Sequence, residues 1–68
     1  MPQRHLKAAQ THDDAALRHE EAALHWEEYG DPEHAELERR NVEIERSAAQ
    51  LERDRAALIE RKHAASTA

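Results

Sequence analysis

His5, His12 and His19 recur every seven residues, and Trp26 takes the fourth place in the same row. Imidazole ligates Zn, Ni, Cu and Fe and titrates close to neutral pH, so such a row offers metal binding or a response to acidification. Ligands must converge on one ion, however, and seven residues along a helix span about 10.5 Å. The three imidazoles therefore cannot share an ion within one chain, and a second helix or subunit would have to complete each site. Two other groups have ligand spacing: Glu21, His25 and Glu28 at i, i+4 and i+7, and Glu60 with His63 at the Glu-x-x-His spacing of carboxylate di-iron helices. With fifteen Asp and Glu and six His in 68 residues, such spacings arise readily by chance. A solvated charged face is the expectation for both, and no metal or cofactor is expected.

Enzymatic chemistry finds no footing. The chain has no Cys, its Ser are Ser47 and Ser66, and its single Gly rules out a Gly-rich phosphate loop. Trp26 and Tyr29 stand beside a tight turn, where aromatic side chains are expected to close the end of a core rather than to form a ligand platform.

The elements that position these residues are set by the stretch Tyr29-Gly30-Asp31-Pro32-Glu33. Gly30 suits the left-handed position after a helix, Asp31 suits the cap of the next one, and Pro32 suits its first turn. This predicts helices over about 4–29 and 32–62, with frayed ends at 1–3 and 64–68, in one domain over 1–68. So short a connection makes the pair an antiparallel hairpin. The fold class is all-α, in keeping with 37% charged residues and a composition dominated by Ala, Glu, Arg and Leu.

Both helices repeat with the same period, so the turn allows them to be aligned. Centring the hairpin between Gly30 and Asp31 sets Trp26 against Ala35, His19 against Val42, His12 against Ala49 and His5 against Ala56. This row pair is the expected hairpin seam, flanked by the doublets Ala8/Ala9, Ala15/Ala16 and Ala22/Ala23, whose small side chains permit close approach. Leu37, Ile44, Leu51 and Leu58 form another seven-residue row on helix 2, and Leu17 with Leu24 a shorter one on helix 1. They lie away from the seam and are expected to form one contiguous apolar stripe that joins copies of the chain into a homo-oligomeric helical bundle, most simply a dimeric four-helix bundle. Within helix 2, Glu36 with Arg40, Glu43 with Arg46 and Glu52 with Arg55 are spaced for ion pairs on the remaining surface.

The segments HLKAAQT, HDDAALR and HEEAALH, residues 5 to 25 of a resemblance that extends to residue 29, are similar to bacterial His/Ala-repeat helical proteins grouped as ferritin-like. That resemblance implies a four-helix bundle with a carboxylate di-iron centre. The chain departs from the pattern in having no Glu-x-x-His in mid-helix, so the resemblance supports the bundle and not an oxidase or iron-storage activity.

A formal net charge of −5 leaves no electrostatic footprint for nucleic acid or an anionic membrane. No stretch nears the roughly 20 apolar residues of a membrane span. The opening residues have no apolar signal region, and the chain is expected in the cytoplasm. Eight Arg against two Lys, with fourteen Ala, point to a GC-rich bacterial genome. The expected function is non-enzymatic: a self-associating hairpin serving as a structural or protein-protein interaction module. Its alternatives are a metal-binding or ferritin-like bundle with His/Glu sites between subunits, and a His-based pH-responsive bundle whose imidazoles, packed against Ala, would repel and loosen the hairpin on acidification.

Overall fold

The computed structural model describes residues 2–67, the last by its backbone alone. Two helices, α1 (Pro2–Glu28) and α2 (Pro32–Thr67), fold back on each other as an antiparallel hairpin about 58 Å long by Cα extent. No strand occurs among the described residues.

The turn is built by the residues expected to build it. Gly30 has φ of 84°, a conformation that Cβ disfavours in other residues. Gly30 N–H donates to the Glu27 carbonyl (3.1 Å) and Asp31 N–H to the Trp26 carbonyl (2.8 Å), the paired bonds of a Schellman ending. Asp31 then starts α2. Its Oδ1 accepts from His34 N–H at 3.0 Å, and its carbonyl accepts from Ala35 N–H at 3.1 Å. Trp26 stacks on the His34 ring, centroids 4.4 Å apart, and closes this end of the hairpin.

Both helices run further than the sequence predicts. α1 begins at Pro2 because proline's fixed φ and missing N–H suit the first helical position, and it ends at Glu28, one residue early, with Tyr29 in the turn. α2 continues through the segment expected to fray. Ala64 and Ala65 have high helix propensity, and the Ser66 hydroxyl donates to the His63 carbonyl at 3.0 Å. Of the ends predicted to be frayed, Met1 and Ala68 lie outside the described residues.

The core is narrow. Its buried residues are Ala9, Ala16 and Ala23 from α1 and Ala35, Val42, Ala49 and Ala56 from α2. The α2 half of the seam is the row aligned from the sequence. The α1 half is not: the central row is alanine, and the histidines lie half-buried at the edge. Alanine on both sides lets the backbones approach closely, which leaves no room for an imidazole between them.

Candidate interaction surface

The two edges of the seam carry opposite arrangements of charge. On one edge the Nδ1 atoms of His5, His12 and His19 reach the carboxylates of Glu52, Glu45 and Glu38 at 2.6, 3.4 and 2.8 Å. Since a carboxylate only accepts, each imidazole donates from Nδ1. On the other edge Asp13, Glu20 and Glu27 meet Arg53, Arg46 and Arg39, the first pair at 2.9 Å. Each ladder advances seven residues along α1 and retreats seven along α2, so the pairs fix both direction and register of the hairpin.

These ladders correct the alignment of the histidines with Ala56, Ala49 and Val42. Each His meets the glutamate three residues past an α2 alanine or valine, one row away from the centre. The hydrogen bond from His5, working against partial desolvation and joined by Arg55 at 2.6 Å, holds Glu52 below the ordinary carboxylate range. At the turn, the backbone N–H of His34 and then its ring, 2.6 Å from Oδ2, lower the pKa of Asp31. Of the ion pairs expected within α2, Glu52–Arg55 forms at 2.6 Å and Glu36–Arg40 stands at the limit of 3.9 Å, while Arg46 turns across to Glu20.

The residues with metal-ligand spacing do not converge. Glu21, His25 and Glu28 are exposed on α1, with the His25 ring against Trp26 and Tyr29; Glu60 and His63 are exposed on α2. Among the described residues no group of three or more His, Asp or Glu is placed to hold an ion.

Large aliphatic side chains stand outside the core. Leu6, Leu17, Leu24, Leu37, Ile44, Leu51 and Leu58 are all exposed, as is Tyr29. They do not make one stripe. Leu17 and Leu24 follow Ala16 and Ala23 by one residue, about 100° round α1 and on the side of Glu20, so they flank the acid–Arg ladder. Leu37, Ile44, Leu51 and Leu58 follow the central α2 row by two residues, which at about 100° each turns them some 160° from the seam. They form the outer edge of α2. The single contiguous stripe read from the sequence is therefore two surfaces, because the hairpin's narrow seam leaves the rows pointing in different directions. Leu6 is an exposed aliphatic the sequence reading passed over; its place seven residues before Asp13 puts it in the acid row.

The two ladders were also missed, although their signal is in the chain: Glu38, Glu45 and Glu52 and then Arg39, Arg46 and Arg53 share the period of the histidines. Among the described residues no helix is long and apolar enough to cross a membrane. Comparison with protein-family models, curated proteins and solved structures finds no match to the chain.

Proposed function

We propose that this chain is a non-enzymatic, self-associating helical hairpin that serves as a structural or protein-protein interaction module. One observation carries the reading: alanine and a single valine make the core, while Leu17, Leu24, Leu37, Ile44, Leu51 and Leu58 are exposed. Below about 70–80 residues one core rarely supplies more than about 3–5 kcal/mol, and small scaffolds often recover the difference by oligomerising. Regular apolar rows on an otherwise charged surface mark a place where another helix packs. The test is sedimentation at micromolar concentration. Association is expected for the native chain and is expected to be lost in Ile44→Asp with the helix content largely kept; a strictly monomeric, fully helical native chain would refute it.

The His–Glu ladder favours a second reading, a hairpin whose stability responds to pH through Glu52. Loosening on acidification assumed imidazoles against alanine. With carboxylates at 2.6–3.4 Å instead, each imidazole has a hydrogen-bond acceptor beside it, and protonation of Glu52, which the His5 bond holds below its ordinary value, is what would release a contact.

A further inference from the structure

We infer that the second copy packs antiparallel along the outer edge of α2, with a two-fold axis beside Ser47. This names the partner and register of the self-association proposed above and rests on that reading.

The row Leu37, Ile44, Leu51, Leu58 is nearly symmetric about its own middle. Reversed against itself it sets Leu37 on Leu58 and Ile44 on Leu51 of the second copy, leaving none of the four uncovered. The flanking charges supply an independent argument. Three residues beyond each member of the apolar row, and one step before the first, stand Glu33, Arg40, Ser47, Asp54 and Arg61. All are exposed, and Arg40 holds its neighbour Glu36 only at 3.9 Å.

The hairpin itself shows which flanks meet in an antiparallel pair of this chain's helices. His12 and His19 lie three residues past Ala9 and Ala16, Glu45 and Glu38 three past Val42 and Ala35, and these rows face each other. Applied to two α2 helices meeting at the Leu row, the same geometry brings the Glu33–Arg61 row against itself. Glu33 then meets Arg61, Arg40 meets Asp54, and Ser47 meets Ser47 at the axis. The sequence of signs, acidic, basic, neutral, acidic, basic, complements its own reversal. A slip of one heptad in one direction puts Glu33 against Asp54, and in the other puts Arg40 against Arg61, so the charges of this flank reject both neighbouring registers while the proposed one sets unlike charges together in both of its charged pairs. A shallow groove lined by Pro32, Glu33, Glu36, Leu37 and Arg40 lies at one end of this edge. It is where Leu58 and Arg61 of the second copy arrive.

The experiment is a charge swap read by sedimentation equilibrium. Arg40→Glu alone and Asp54→Arg alone each turn two attractive pairs repulsive, and each should weaken the dimer about ten- to thirtyfold. The double variant, and an equimolar mixture of the two single variants, should restore dimerisation to within about threefold of the native chain. In parallel, the chain's lack of Cys allows single cysteines to be placed. A short bis-maleimide should link Ser47→Cys to itself and leave Glu33→Cys unlinked, since two Glu33 would lie about 42 Å apart at 1.5 Å per residue. A dimer indifferent to the swaps, or one that cross-links through Glu33→Cys, overturns this register while leaving self-association intact. A native chain that sediments as a monomer overturns both.

Discussion

Two truncations two residues apart on α2, on opposite sides of the helix, separate what holds the hairpin from what would hold copies together. Val42 is 6% exposed at the centre of the seam and Ile44 is 62% exposed on the outer edge. Val42→Ala removes two buried carbons at about 0.8 kcal/mol each and leaves a small cavity, a loss of about 1.5–2.5 kcal/mol from which alanine's better helix propensity returns roughly 0.5 kcal/mol. Set against the roughly 3–5 kcal/mol such a small core provides, that is a large shift in the urea midpoint at any protein concentration. Ile44→Ala removes three carbons, worth about 2.4 kcal/mol if fully buried. In an isolated hairpin, where most of that side chain is already wet, the loss falls to roughly 0.9 kcal/mol, and alanine's better helix propensity returns about 0.4. A monomer would therefore barely register the change, whereas an associated chain would lose about 2 kcal/mol per copy. Urea unfolding followed by far-ultraviolet circular dichroism, across a roughly hundredfold range of concentration, reads the difference. The native midpoint should rise with concentration, Val42→Ala should lower it at every concentration, and Ile44→Ala should lower it and flatten the rise. A native midpoint independent of concentration, with Ile44→Ala close to native, would refute the assignment of the outer row to association.

Gly30→Ala meets no atom within 4 Å but must hold φ at 84°, so it should cost about 1–2 kcal/mol from backbone strain alone, read as a lower Tm without loss of helix at low temperature. Glu20→Ala or Arg46→Ala breaks an exposed ladder pair and should cost less than about 1 kcal/mol, with the effect shrinking in molar salt; a larger loss would mean that the pair does more than align the edges. The lowered pKa values of Glu52 and Asp31 make their contributions complete above the ordinary values of 4.5 and 3.8 and lost as pH falls through the lowered folded values. Tm should thus drop on acidification below about pH 4.5, and Glu52→Gln should shed part of that dependence. An acid profile identical in Glu52→Gln would show that the His5–Glu52 contact does not set it.

The turn was legible because each of its residues has a strong and distinct backbone preference, and the antiparallel hairpin followed from how few residues connect the helices. Ala35, Val42, Ala49 and Ala56 were legible as one face because helix period alone places them together. The histidines were misplaced by one row because a heptad pattern states which residues share a line along a helix without stating which line is central. That choice is made by size. Where both helices offer an alanine row, the backbones close until only alanine or valine fits between them, and any longer side chain is driven to the edge.

The same closeness explains why the chemistry and the apolar surface ended up where they did. Once the edges are crowded by a narrow seam, long polar side chains from one helix can span to the other, and the two heptad ladders become the natural occupants: imidazole to carboxylate on one side, carboxylate to guanidinium on the other. Leucine and isoleucine have no place in such a seam. Their regular spacing on the far side of α2 is then a pattern the hairpin does not need for its own packing, and a helix of the same period is what would cover it. The charges beside that row complement their own reversal, which is what would favour a second copy over a helix of unrelated charge pattern.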